Sequence, residues 1–343
     1  MGAGAIGCWV GGRLQAAGAE VHFVGRPAVL EELRVLGLTL TDLDGRRTHL
    51  APAELRLHAE VPDAPRAAAS DGGSGNVPGV AGVAPALVLL CVKSGSTAEA
   101  AALLALHLPP GTPVLSLQNG VANPAVAAAA APGLAVIAGM VGFNVVRASP
   151  GHWHRGTWGE LAAQAHPALQ AWLPTFAAAG MPLALHADMK PVQWGKLLLN
   201  LNNPVNALSG LPLKRQLLDR DLRVVMAALI GEALAALKAH GIEPAQLATL
   251  PPRWMPFGLR LPTWLFKLAA RTSLRIDDAA RTSMADDVAR GRATEIDALC
   301  GEVVRLARSA GQRARCNEWM QERLSRPDPG RMTGREMRAA LGL

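Results

Sequence analysis

Short apolar runs separated by stretches of helical spacing dominate the first half of the chain. Glu20 to Gly25, Ala86 to Val92, Pro113 to Leu117 and Leu134 to Val141 each read as a buried strand, and their alternation with crossover segments predicts a parallel α/β sheet. From about Lys190 the strand pattern stops. Val224 to His240 and Met284 to Ser309 repeat apolar residues every three or four positions, so the second half is expected to be almost all helix. The fold class expected is therefore α/β, with a parallel-sheet domain over residues 1–188 followed by an all-helical domain over 189–343.

Two stretches break the pattern. The segment 62–85 is rich in Gly, Ser, Ala and Pro without apolar periodicity, and is read as a flexible surface loop inserted into the first domain. Pro251, Pro252, Pro256 and Pro262 interrupt the helical half too often for one continuous helix. The aromatics of that segment, Trp254, Phe257, Trp264 and Phe266, are expected to pack a core, with a cover over the mouth of a site as the alternative.

Composition narrows the class. At 343 residues the chain is too long for one ordinary core, and 50% apolar with 18% charged residues suits two globular domains. No run approaches the roughly 18 apolar residues of a membrane span and no export signal opens the chain, so a cytoplasmic protein without a membrane partner is expected. Cys8, Cys91, Cys300 and Cys316 lack zinc-type or CxxC spacing, which predicts reduced thiols and no metal. The net charge of +7 comes from arginines interleaved with acids, a pattern that does not single out nucleic acid and fits an anionic small molecule equally well.

The chemistry-bearing motifs begin at the first residues. Gly2, Gly4 and Gly7 form a GxGxxG run, with Ala5 and Ile6 between, leading into a helix that Gly18 ends and then the strand Glu20 to Gly25. In a dinucleotide-binding βαβ unit the glycines permit the tight turn, the approach of the pyrophosphate and close helix packing, and the helix amides hold phosphate charge. The first domain is therefore expected to be Rossmann-like. At the end of the second strand, where an acid would bind an NAD ribose, stands Arg26, which matches a 2′-phosphate and points to NADPH. Such a unit needs a strand before the glycines, so a handful of residues upstream of Met1 is expected.

Three further segments carry polar groups at strand or helix positions suited to a site. Lys93 ends a buried strand, well placed for an anion. Asn119-Gly120 ends another, and reads either as a turn signal or as an amide set over the nicotinamide side of the cleft. Lys196, Asn200 and Asn203 are spaced by four and three, a polar stripe on one helix face amid leucines that must meet solvent or a ligand cleft.

In this order the segments resemble the ketopantoate reductase (2-dehydropantoate 2-reductase) family over nearly the whole chain. The resemblance rests on the glycine fingerprint, Lys93, Asn119, the Lys196-x-x-x-Asn200 helix and Asn203-Pro204. It extends to Ser283-Met284-Ala285-Asp286-Asp287 and to Arg290-Gly291-Arg292-Ala293-Thr294-Glu295-Ile296-Asp297. It implies NADPH-dependent reduction of a small 2-keto acid, with ketopantoate giving pantoate for coenzyme A synthesis. By the same resemblance Lys196 is the general acid, Glu295 binds the product hydroxyl or tunes the lysine, and contacts the cofactor, and Asn119 helps position cofactor and substrate. Ser283, Asn200 and Asn203 hold the substrate. Asn203 stands one residue closer to the lysine than in the family's usual spacing, so Asn202 and Asn206 remain alternatives for the substrate amide.

Other candidates are set aside. His152-Trp153-His154 lacks a third ligand at metal spacing and is read as a loop or hairpin. His186 and Asp188 fall at the domain boundary. The chain has no tyrosine, which excludes a Tyr-x-x-x-Lys dehydrogenase. A reductase of another small 2-keto acid, a hydroxyacid or imine reductase, and a non-catalytic NADPH-binding regulator are the alternatives; either a monomer or a homodimer fits.

Overall fold

The structure is a computed structural model that describes residues 1–63, 86–271, 274 and 280–343. It divides into two compact units, Met1–Met189 and Lys190–Leu343. Of the expected inserted loop 62–85 only Pro62 and Asp63 fall inside the described residues.

The first unit contains β1 (His22–Val24), β2 (Leu38–Thr41), β3 (Arg47–Leu50), β4 (Arg56–His58), β5 (Val88–Leu90), β6 (Pro113–Ser116) and β7 (Ala135–Val141). It continues with β8 (Val145–Ser149), β9 (His152–Arg155), β10 (Leu161–Gln164) and β11 (Leu183–His186). Its helices are α1 (Ala5–Ala16), α2 (Pro27–Leu36), α3 (Thr97–His107), α4 (Asn123–Ala130), α5 (Pro167–Gln170) and α6 (Leu173–Ala178). The four apolar runs became β1, β5, β6 and β7. The last three lie side by side in parallel, as expected of strands reached by crossovers, within a sheet of order β11-β10-β7-β6-β5.

β1 pairs in parallel with β4. Between this pair and β5 lie Met1 and Gly2, the lane in which sequence reasoning puts a first strand. The Met1 ammonium donates to Leu89 O (2.9 Å), Cys91 N donates to Met1 O (2.8 Å), and Gly2 N donates to Val24 O (2.9 Å). These bonds tie the glycine turn to both neighbouring strand ends.

Antiparallel pairing accompanies the expected parallel sheet in two places. β10 runs antiparallel to β7, and a separate sheet of order β3-β2-β9-β8 is mostly antiparallel. The β2–β3 hairpin turns through Asp42 to Gly45, where Gly45 takes φ +81° and its N–H donates to Asp42 O. His152-Trp153-His154 forms β9 of the β8–β9 hairpin, and both histidines hydrogen-bond Thr41 Oγ1 rather than form a ligand pair.

The α1 helix covers this second sheet at close range. A Cβ on Gly12 would sit 2.7–2.8 Å from the side chains of Leu38 and Leu40, and one on Gly11 would sit 2.8 Å from Phe23. Beside it, Trp9 packs edge-on to Phe143 at 5.1 Å, and the Arg155 guanidinium lies 5.2 Å from the Trp9 ring centre. Arg155 and Asp42 form an ion pair of 2.6 Å with both side chains buried.

The second unit holds no strand among its described residues. It contains α7 (Lys190–Asn200), α8 (Asn202–Ser209), α9 (Leu213–Leu218), α10 (Arg220–Ala239) and α11 (Met255–Arg260). It ends with α12 (Thr263–Ala269), α13 (Ser283–Ala289), α14 (Glu302–Ser309), α15 (Arg315–Leu324) and α16 (Gly334–Leu341). The α10 helix is the axis of the unit: it buries Leu222, Val225, Leu229, Ile230, Ala233 and Leu237 and packs against α11, α14, α15 and α16. Asp219 caps it by accepting from Asp221 N and Leu222 N.

Two helical expectations are corrected here. Met284 to Ser309 is not one helix: α13 stops at Arg290-Gly291, where Gly291 takes φ +60°, and the chain resumes helix at Ile296 through a π-helical turn over Asp297–Gly301. The aromatic segment does not bury its rings as expected, since Trp254, Phe257 and Trp264 are 50%, 64% and 69% exposed. Its prolines cut it into short helices that can press only one side inward. Only Phe266 is buried, beneath the guanidinium of Arg223 at 4.2 Å. Arg223 itself is fully buried and donates to the carbonyls of Leu217, Leu259 and Leu261, which fastens this segment to α10.

Replacing Arg155 by Ala leaves the Asp42 carboxylate buried without its cation, so the first unit should lose about 3–5 kcal/mol in urea unfolding. The Asp42→Leu/Arg155→Met double variant should recover most of the loss. A single-variant loss under about 0.5 kcal/mol, the range of an exposed ion pair, would contradict the burial argument.

Candidate active site

The candidate residues of the first unit gather at the carboxyl ends of its parallel strands. Gly2, held against Val24 O, takes φ +96°, and a Cβ there would lie 2.7 Å from Val92 N; a side chain would collide with the β5 end. Gly7, one turn into α1, faces Gly2 O so closely that a Cβ would lie 2.2 Å from it. Gly4 differs, because a Cβ there meets nothing within 4 Å. Two of the glycines thus serve packing of the turn and helix, and the middle one leaves an open approach.

That approach leads to hydrogen-bond donors that no acceptor among the described residues claims. The first intrahelical bond of α1 runs from Cys8 N to Gly4 O, no side chain caps the helix, and the N–H groups of Ala5, Ile6 and Gly7 precede that bond. Three amides at a helix N-terminus beside an open glycine suit a pyrophosphate. Arg26 stands at the N-cap of α2 just past β1, exposed and without a carboxylate partner among the described residues. The donor set fits a phosphorylated dinucleotide.

Lys93 follows β5 and Asn119 follows β6; both are exposed. Gly120 takes φ +89°, so Asn119-Gly120 is a turn as well as a candidate contact. Asn123 Nδ2 donates to Asn119 O and to Ser94 Oγ, which joins the two loops.

In the second unit Lys196 and Asn200 lie on α7, Lys196 half-buried and Asn200 buried, among buried Leu197, Leu198 and Trp194. Gly195 brings the helix onto the following chain: Ala245 N donates to Pro191 O, and a Cβ on Gly195 would lie 2.4 Å from Ala245 O. Burial pushes the Lys196 ammonium from the ordinary 10.5 down to about 8. Desolvation by the surrounding protein is the cause of that fall.

The expected single helix carrying Lys196, Asn200 and Asn203 is corrected. α7 ends at Asn200 and α8 begins at Asn202, because Pro204 has no N–H to give the Asn200 carbonyl and its ring crowds that carbonyl. Asn203 therefore sits on its own short helix. Among the alternatives, Asn206 has both amide hydrogens engaged, to Leu211 O (2.9 Å) and Gln216 Oε1 (2.8 Å), and its oxygen accepts from Thr282 N and Oγ1. Asn202 Oδ1 accepts from Gln216 Nε2. Asn206 is a structural rivet between α8 and the start of α13, whereas the Asn203 amide has no partner among the described residues.

The same rivet sets Ser283, the exposed first residue of α13, immediately after Thr282. Glu295 is half-buried and directly precedes the helix that enters the π-helical turn, so it belongs to a loop end and not to an exposed helix face. Sequence reading missed Gln216 and Thr282, whose only signal is that a buried Asn needs four partners. Among the described residues no group of three His, Cys, Asp or Glu side chains could hold a metal, and no helix is long and apolar enough to cross a membrane.

Comparison with known proteins follows this geometry. A profile of the family described as Ketopantoate reductase PanE/ApbA matches residues 1–168, and that of its C-terminal part matches residues 188–326. A 2-dehydropantoate 2-reductase of Halobacterium salinarum is 27% identical over 315 residues, covering 90% of this chain and 91% of its own. Among solved structures, a PanE/ApbA family ketopantoate reductase from Ralstonia eutropha JMP134 superposes with a TM-score of 0.75 at 27% identity, covering 100% of this chain and 98% of that one. D-mandelate dehydrogenase in ternary complex with NADH and anilino(oxo)acetate shares the fold at a TM-score of 0.70 and 16% identity, over 100% of this chain and 98% of its own.

The lysine's burial makes stability depend on pH. The unfolded chain releases this proton near 10.5 and the native one near 8, so between those values the unfolded state holds more protons and stability rises with pH. Lys196→Met should abolish that rise and stabilise the protein at pH 7 by about 2 kcal/mol, after discounting for partial exposure. Parallel pH profiles of wild type and variant in denaturant melts would contradict this.

Proposed function

We propose that the chain, which belongs to the ketopantoate reductase (PanE/ApbA) family, reduces 2-dehydropantoate to pantoate with NADPH and with Lys196 as general acid. The observation that carries the reading is the half-buried lysine, whose ammonium is lowered to about 8 beside Asn200 on α7. At neutral pH such an amine is mostly charged, yet gives up its proton more readily than a surface lysine.

The bound nicotinamide would supply a hydride. The rest is work for this chain's own side chains. As the keto carbon is reduced, negative charge grows on its oxygen, and the Lys196 ammonium stabilises that charge and then delivers a proton from Nζ. Asn203 and Ser283 bind the substrate carboxylate and hydroxyl, and Asn200 holds the substrate beside the lysine, which fixes the orientation of the keto group. Glu295 binds the product hydroxyl and contacts the cofactor. Gly2, Gly4 and Gly7 with the amides of Ala5 and Ile6 receive the pyrophosphate, Arg26 the 2′-phosphate, and Lys93 and Asn119 the remaining cofactor contacts.

Support for NADPH over NADH is the exposed guanidinium of Arg26 where an NAD enzyme would carry an acid. The family and its relatives support a small 2-keto acid as substrate.

Purified protein should oxidise NADPH with ketopantoate, measured at 340 nm. Lys196→Ala should lower kcat by about 10²–10⁴-fold, and Arg26→Ala should raise KM for NADPH about tenfold or more while sparing NADH. Turnover that survives Lys196→Ala removes the lysine from the mechanism. Higher kcat/KM with another 2-keto acid in a substrate panel reassigns the substrate and keeps the chemistry.

A further inference from the structure

Lys93 and Asn119 stand at the ends of two neighbouring strands. β5 and β6 pair with Val88 opposite Val114 and Leu90 opposite Ser116, an offset of 26 residues. The same offset separates Lys93 from Asn119, so the register points them to the same level, with their strands one sheet spacing apart, roughly 4.8 Å. The ladder ends before it reaches them: its last bond runs from Leu117 N to Leu90 O. Beyond it, something other than the sheet must hold the two loops in step.

A closed network of buried side chains does so. Gln118 Nε2 donates to Val92 O (3.0 Å), one residue before Lys93, and to Thr97 Oγ1 (2.7 Å), while Gln118 Oε1 accepts from Ser116 Oγ. Thr97 Oγ1 in turn lies 2.9 Å from both Ser94 O and Asn123 Oδ1, to which its single hydroxyl proton can be given. Asn123 Nδ2 donates to Ser94 Oγ (3.0 Å) and to Asn119 O. Thr97 is wholly buried, and Ser116, Gln118 and Asn123 are buried with it. The hydrogens of both amides are engaged within the network, so neither amide is left to bind a ligand and their effect falls on the backbone around Lys93 and Asn119.

We propose that Thr97, Gln118 and Asn123 are positioning residues for the cofactor, setting the separation between the Lys93 cation and the Asn119 amide. The proposal rests on the reading that those two groups contact the dinucleotide. A cofactor held at two points gains affinity from their fixed spacing, and a loop freed by a fraction of an ångström forfeits part of it.

Thr97→Val tests this, because it keeps the volume and removes the hydroxyl on which both amides converge. NADPH affinity, read from the fluorescence of the bound cofactor, should fall about tenfold. KM for the keto acid should move by less than about twofold, and Thr97→Ser should restore affinity to within about twofold of wild type. Thr97→Val protein that melts lower but binds NADPH as tightly as wild type overturns the proposal, since the network would then be structural only. Should Thr97→Val not fold, Asn123→Asp keeps the acceptor for Thr97 and loses both donations; the same weakening supports the proposal and unchanged affinity overturns it. Wild-type protein that fails to bind NADPH overturns the cofactor reading instead, a distinct result from wild-type binding that neither substitution alters.

Discussion

The desolvation of one amine is the constraint on which the second unit turns. A half-buried lysine on α7, a helix with most of its residues buried, loses water that its charge would otherwise keep, and its ammonium drops to about 8. That loss destabilises the folded chain and, on the proposed reading, eases release of the proton, so stability and the proposed chemistry pull in opposite directions at one atom. The neighbouring structure is arranged to hold the helix regardless: Gly195 lets it meet the Ala245 carbonyl, and Asn206 rivets the following helix to the start of α13.

The first unit presents a different constraint, bare backbone left open beside Gly4, where the proposed dinucleotide would approach. Gly2 and Gly7 are needed because the turn, the helix and the β5 end leave no room for a Cβ, and Gly4 is needed because its side leaves room for something else. If Lys93 and Asn119 hold the dinucleotide as proposed, they must keep a fixed spacing although the hydrogen-bond ladder stops short of them. Buried side-chain hydrogen bonds take over that task where the sheet ends.

Much of this was legible in the sequence because it follows from local rules. The apolar runs of β1, β5, β6 and β7, the glycine turn and the change to helix near Lys190 all declare themselves within a few residues. What was not legible depends on partners distant in the chain. The β2–β3 and β8–β9 hairpins form one sheet only because β2 pairs with β9, more than a hundred residues later. Pro204 was in plain view, yet its effect on the Asn200 carbonyl divides the polar stripe that spacing alone makes continuous. The rings of Trp254, Phe257 and Trp264 read as core by composition and lie exposed, since short proline-bounded helices bury one side and the buried place beneath Arg223 is taken by Phe266.

The most direct test of the account is the titration of the Lys196 amine itself, followed by the NMR shift of a labelled Nζ and assigned by its loss in Lys196→Met. The account predicts a midpoint near 8 in the folded protein and near 10.5 after unfolding. A folded-state midpoint at the ordinary lysine value would show an amine still in water, and would contradict both its burial and the proposal that it donates the proton.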